Sequence, residues 1–248
     1  MIVADSDPGF AFKDPGRRAK LVAAIPSIEK GIDAELKRQA LPGLAVGIVI
    51  DGELVFAKGF GVTTPGGTSV PDADTVYRIG SITKSFTGLA VLALRDEGTL
   101  QLDQPLAKWI PEAAQLVYPS RDSAAITLRQ LANHTSGLPR MGSFPPEEGP
   151  TEDVVVKSLA KLQLESSPGT NWNYSNLAFS LLGIAVGHAA RAPFHDVVAA
   201  RILKPLGMTA TVWDHETADR ARLAPPTIVG PQGPITSPKP PARLGAAD

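Results

Sequence analysis

A serine three residues ahead of a lysine can do acyl chemistry, because on a helix the two side chains sit one turn apart and the amine can reach the hydroxyl. A serine hydroxyl is a poor nucleophile until a neighbouring base takes its proton. The spacing occurs at Ser27/Lys30, Ser81/Lys84 and Ser158/Lys161. By itself it says little, since the first and third pairs fall on the polar faces of amphipathic helices, where a solvated surface explains them. Ser81-Ile82-Thr83-Lys84 differs in its setting: it opens a helical pattern, so the positive field of a helix amino terminus would lie where an oxyanion forms. Tyr174-Ser175-Asn176, the chain's only Tyr-x-Asn, follows the turn Pro168-Gly169-Thr170 and comes 93 residues after Ser81 (174 minus 81). A tyrosine can serve as a base when a nearby cation favours its ionised form.

The flanking strings carry a resemblance. YRIGSITKSFTG is similar to the nucleophile region of class C β-lactamases, serine D-alanyl-D-alanine carboxypeptidases, D-aminopeptidases and family VIII esterases, and PGTNWNYSN resembles that superfamily's second motif. PGLAVGIVIDGELVFAKGFG, ITLRQLANHTSGLP and ILKPLGM extend the likeness over roughly residues 26 to 213. The resemblance implies that Ser81 is the nucleophile and that Tyr174 acts with Lys84 to move the proton between serine, leaving group and water. It also implies that Asn176 hydrogen-bonds substrate and lysine. Trp172, two residues before Tyr174, either lines the cleft or packs on the turn. In the same pattern His134 belongs to a structural turn closed by Gly137, where a buried, hydrogen-bonded histidine is expected.

The elements that must position these residues follow from periodicity. Ile25, Ile28, Ile32 and Leu36 form a stripe that predicts a helix over 26–40. Residues 44–50 and 53–61 read as strands joined by Asp51-Gly52, a dipeptide preferred in tight hairpins. From Ser81 the pattern turns helical, with Ile82, Phe86, Leu89, Ala93 and Leu94 on one face and Gly98 placed as a carboxyl cap. Further helices are expected over about 128–133, 151–162, 177–190 and 193–203. Residues 1–25 read as an irregular opening and 214–248 as a connection or tail too rich in proline and glycine for a regular element. The hydrolase domain is then 26–213. The implied fold class is α+β or α/β and β-lactamase/transpeptidase-like: an N-terminal helix, a β-hairpin of an antiparallel sheet and a mostly helical subdomain, with the C-terminal strands missing.

Composition bounds the function. The 24 Lys+Arg nearly cancel the 25 Asp+Glu without long single-sign runs, so nothing favours a nucleic acid or an anionic membrane, and a small-molecule or peptide substrate is expected. Cysteine is absent, which excludes thiol nucleophiles and thiolate metal sites. His188, His195 and His215 have no ligand-spaced companions; neither metal nor cofactor is expected. No apolar stretch approaches a membrane span, and the opening MIVADSDPGFAFKDPGRR lacks the form of an export signal, so the chain as written is expected in the cytoplasm. A start lying upstream would instead make it periplasmic or secreted.

Neither Lys-Thr-Gly nor His-x-Gly, the third motif that the resemblance leads one to expect on a later strand, occurs in the sequence. The expectation is therefore a serine hydrolase working through an acyl-enzyme on an amide, β-lactam or ester. The alternative is a truncated, catalytically impaired homologue that binds without turnover or has no independent function. An open sheet edge would also permit self-association.

Overall fold

The structure, a computed structural model, describes residues 12–143, 151–160, 162–213, 217–219, 221–230 and 233–236. These fall into two compact units, residues 12–77 with 219–236 and residues 78–218.

In the first unit, α1 (Arg17–Gln39) leads into β1 (Gly43–Ile50) and β2 (Glu53–Gly61), which pair antiparallel with Ile50 opposite Glu53. The hairpin closes where expected, at Asp51 and Gly52, which hold φ of 55° and 77°. Two consecutive positive φ values are what a primed two-residue turn requires. Ile25, Ile28 and Ile32 are half-buried and Leu36 is buried, so the predicted stripe is the inner face of α1. The helix nevertheless begins at Arg17 rather than Pro26, so 17–25 is not irregular. Proline suggests a first helical turn, but the preceding RRAKLVAAI contains mostly good helix formers and carries the helix through it.

The tail also departs from expectation. β3 (Thr227–Gly230) and β4 (Gly233–Thr236) form a second antiparallel hairpin, and Val76 makes a parallel bridge to Leu223, donating its N–H to the Arg222 carbonyl at 2.9 Å. Pro234 opposes Val229 in that ladder, an arrangement open to proline in a two-stranded ribbon because each strand has a free edge. Residues 214–216, His215 among them, and 220, 231–232 and 237–248 lie outside the described residues.

The second unit is helical: α2 (Thr83–Asp96), α3 (Leu128–Ala132), α4 (Glu152–Lys157), α5 (Asn176–Ala190) and α6 (Phe194–Val198), the last running into a π-turn over Ala199–Leu203. α5 is the centre. Leu177, Ala178, Phe179, Leu181, Leu182, Ala185 and Val186 are buried around it, and it touches α2, α3, α4 and α6. A helix apolar on every side can only be stable when enclosed. α3 starts on a capping box between Thr127 and Gln130. Among the described residues no single helix is long and apolar enough to cross a membrane.

α2 is rotated from its predicted orientation. Its buried residues are Thr83, Lys84, Thr87, Ala90, Val91 and Leu94, while Ile82 and Leu89 are exposed. Apolar periodicity cannot register polar side chains that are buried because they have partners. Thr87 donates its hydroxyl to the Thr83 carbonyl at 3.3 Å, and Lys84 is engaged as described below.

Leu181 is fully buried at the middle of α5. Leu181→Ala should lower unfolding stability by about 2–5 kcal/mol, read as a shift in the urea midpoint with the slope unchanged.

Candidate active site

Ser81 lies on a single 3-10 turn, Gly80–Ile82, directly before α2. Gly80, at φ 50°, makes the bend that brings the chain into this turn, a conformation glycine adopts without strain. Ser81 is exposed, whereas Lys84, one turn on, points inward and is buried. Lys84 Nζ donates to Ser81 Oγ at 3.1 Å and to Asn176 Oδ1 at 2.8 Å. From the other side the Tyr174 hydroxyl donates to Ser81 Oγ at 2.7 Å. The structure thus brings Ser81, Lys84, Tyr174 and Asn176 together on one oxygen and one ammonium. It does not bring in Trp172, which is 68% exposed and lies T-shaped to His134 with ring centroids 5.9 Å apart. Ser27 lies in the other unit, on α1, and Ser158 donates to the Val155 carbonyl at 2.6 Å.

The Tyr-Ser-Asn string works through its middle residue as well. Ser175 is the N-cap of α5, its hydroxyl accepting from the Ala178 N–H at 3.0 Å and donating to the Pro139 carbonyl at 2.7 Å. Asn176, the first helical residue, donates its N–H to the Arg140 carbonyl at 2.8 Å and its amide to Met141 Sδ at 3.2 Å. The start of α5 is therefore fastened to three consecutive loop residues, Pro139, Arg140 and Met141. The HTSGL string ends just before these residues, and no sequence pattern contains Arg140 or Met141. Nothing in their type or spacing distinguishes them, because they reach the site through the fold of a loop.

His134 is half-buried rather than buried, and it bears on the site more closely than a purely structural turn residue would. It sits at φ 62°, its ring centroid lies 4.5 Å from that of Tyr174, and its Nδ1 accepts the Ser175 N–H at 3.1 Å. An accepting Nδ1 requires the neutral imidazole. Burial, and then the Lys84 charge, push its pKa below the ordinary histidine value. The turn ends at Gly137, φ 77°, where a Cβ would meet the Ser166 carbonyl at 2.0 Å; only glycine fits.

Burial alone would raise the pKa of the Tyr174 phenol. Hydrogen bonds with Lys84 and Ser81, together with the charges of Lys84 and Arg140, outweigh it and hold the phenol below its ordinary value. The Lys84 ammonium and the Arg140 guanidinium each lie 4.9 Å from the Tyr174 ring centroid. A serine hydroxyl faced by an acidified tyrosine and a buried ammonium can lose its proton and attack an electrophilic carbonyl. A cavity of about 770 Å³ towards the carboxyl end of α5 is lined by residues including Glu152, His188, Phe194 and Trp213, and by none of these four groups. There His188 bonds the Trp109 carbonyl at 2.6 Å and Glu152 at 2.8 Å.

His134 also gives the fold a pH dependence. Since its folded pKa is depressed, its contribution is complete above 6.5, the ordinary value, and is lost as pH falls through the folded value. His134→Asn keeps a side chain that tolerates positive φ. Between about pH 7 and about pH 5 the wild type should lose more of its thermal midpoint than this variant, as followed by circular dichroism.

A family model described as Beta-lactamase matches residues 28–245. The D-alanyl-D-alanine-carboxypeptidase/endopeptidase AmpH of Escherichia coli strain K12 is 38% identical over 176 residues, 69% of this chain and 45% of that protein. The octameric penicillin-binding protein homologue from Pyrococcus abyssi superposes with a TM-score of 0.75 at 27% identity, covering 86% of this chain and 50% of that one. The β-lactamase/D-alanine carboxypeptidase from Yersinia pestis, complexed with citrate, gives 0.69 at 32% identity over 76% of this chain and 55% of that one. These neighbours share its helices and small antiparallel sheet, and the chain spans about half the length of the curated relatives it matches.

Proposed function

The chain belongs to the Beta-lactamase family, and from that premise we propose that it is a serine hydrolase that forms an acyl-enzyme at Ser81 and acts on an amide, β-lactam or ester. The observation that carries this reading is the pair of contacts on one atom: Ser81 Oγ has Tyr174 Oη at 2.7 Å and Lys84 Nζ at 3.1 Å.

In this mechanism the Tyr174 phenolate, stabilised by Lys84, takes the Ser81 proton as Oγ attacks the substrate carbonyl. The oxyanion forms near the amino terminus of α2, whose dipole favours negative charge. The tetrahedral adduct collapses, and the leaving nitrogen or oxygen departs with the proton returned by Tyr174. Water then gives a proton to Tyr174, its oxygen attacks the acyl ester, and Ser81 recovers its hydrogen as the acid is released. Asn176 holds Lys84 at 2.8 Å so that the ammonium stays between the two hydroxyls. The carboxypeptidase activity named for the Escherichia coli relative supports a peptide substrate.

The second reading is a homologue that keeps the cleft and binds without turnover. Mass spectrometry after incubation with a fluorescent penicillin or a p-nitrophenyl ester separates the two. A covalent adduct on Ser81, lost in Ser81→Ala and kept in Ser27→Ala and Ser158→Ala, is the expected result. Binding without an adduct establishes the second reading. Tyr174→Phe should slow acylation about 10²–10⁴-fold. In the wild type the rate should climb with pH as Tyr174 ionises, the climb starting below the ordinary phenol range.

Self-association is also proposed. The Pyrococcus homologue is octameric, and β1 and β2 form a two-stranded sheet whose outer edges leave backbone groups unpaired in the ladder. Light scattering should give a mass above 26.0 kDa that returns to the monomer value when a proline is placed on the β2 edge. A monomer at all concentrations refutes it.

A further inference from the structure

Two cations face the ring of Tyr174, and only one of them belongs to the Ser-x-x-Lys pattern. Lys84 comes from inside the unit and bonds the tyrosine and serine oxygens. Arg140 comes from the loop after Gly137, with its guanidinium carbon 4.9 Å from the ring centroid. Its position follows from the backbone. The Pro139 carbonyl takes the Ser175 hydroxyl, the Arg140 carbonyl takes the Asn176 N–H and Met141 Sδ takes the Asn176 amide. Those three bonds tie the loop on either side of Arg140 to the residues immediately after Tyr174. They fix the backbone from which the Arg140 side chain reaches the tyrosine ring. Among the described residues no carboxylate pairs with Arg140.

We propose that Arg140 is a positioning residue for the reaction at Ser81: with Lys84 it stabilises the phenolate of Tyr174 through which the serine proton is removed. This rests on the acyl-enzyme reading above and adds a residue that neither the Ser-x-x-Lys nor the Tyr-x-Asn pattern contains. Among the described residues, the groups facing Tyr174 are Ser81 from the turn before α2, Lys84 from its first turn, the neutral His134 ring and Arg140 from the loop. The two that carry charge both favour the ionised phenol, in agreement with the direction of its shift. Because Arg140 is exposed, water and salt weaken its field, so its effect is smaller than that of buried Lys84 and depends on ionic strength.

The test reads Tyr174 directly. The chain has three tyrosines, so ¹³C labelling at Cζ gives three signals, with that of Tyr174 assigned as the one missing in Tyr174→Phe. In the full chain, Arg140→Met should move the Tyr174 titration to higher pH, and Arg140→Lys should restore part of the difference. Raising salt from about 0.05 M to about 0.5 M should move the wild-type signal the same way, since the Debye length shortens, and should move the Arg140→Met signal less. Acylation by a fluorescent penicillin near neutral pH should fall about threefold in Arg140→Met and recover at alkaline pH, where the phenolate forms without help. A Tyr174 titration that is unchanged in Arg140→Met and equally salt-sensitive in both proteins overturns the proposal. The NMR readout needs no turnover, so a chain that is never acylated refutes the acyl-enzyme reading while leaving the Arg140 result to stand or fall separately.

Discussion

The ammonium of Lys84 is buried, and a buried cation is tolerable only when its donors are used. It finds Ser81 Oγ at the foot of its own helix and Asn176 Oδ1 at the head of another. Much of the helical unit's geometry follows from that requirement. α2 must turn its polar stripe Thr83, Lys84 and Thr87 inward, which leaves Ile82 and Leu89 exposed. α5 must begin at Asn176, so that the asparagine side chain projects at the helix start while the next residues enter the core. Removing Asn176 Oδ1 would leave the charge short of a partner, and the cost of that appears in stability as well as in chemistry.

The same helix start joins packing to chemistry. Ser175 caps α5 with its hydroxyl, His134 receives its N–H, and Tyr174, one residue earlier, is thereby held over Ser81. Gly137 and Gly80 take a positive φ without strain, but His134 holds one too, which is strained for a residue with a side chain. Backbone strain of this kind persists only where surrounding contacts over-determine it. Here they do, through the Glu165 N–H on the Gly137 carbonyl at 2.8 Å, the Gly169 N–H on the Thr135 carbonyl at 2.7 Å and the Asn173 N–H on the His134 carbonyl at 2.8 Å. The site is built on two helix starts and one braced turn, all anchored in a core centred on α5, an arrangement that holds reacting groups more tightly than free loops do.

Family membership is shown by a match over residues 28–245, yet fold alone does not settle substrate, and the relatives carry varied activities in their names. The site of this chain has features outside its Ser-x-x-Lys and Tyr-x-Asn strings. An exposed arginine faces the tyrosine, a methionine sulfur accepts from the asparagine, and Trp172 stays in solvent. Arg140, Met141 and Trp172 lie in loops, where related hydrolases built on one scaffold diverge in specificity.

Local patterns were legible wherever one residue type decides the local conformation. Asp51-Gly52 specified the β1–β2 turn, the isoleucine stripe specified the inner face of α1, and the Ser-x-x-Lys and Tyr-x-Asn strings named the groups that meet at Ser81. Where the sequence misled, a longer-range compensation had prevailed. Good helix formers carried α1 back to Arg17 through Pro26, hairpin pairing organised part of a proline-rich tail, and partnered polar side chains turned the face of α2. Arg140 and Met141 lay beyond any pattern, and the turn pattern that contains His134 did not place its ring against the tyrosine; all three come from a segment 33 to 40 residues before it (174 minus 141 and 174 minus 134). A one-dimensional pattern records which side chains recur along a helix or strand. Which carbonyl a loop offers to a distant helix start, and which charge it then leaves over an aromatic ring, depends on hydrogen bonds that exist only once the chain has folded.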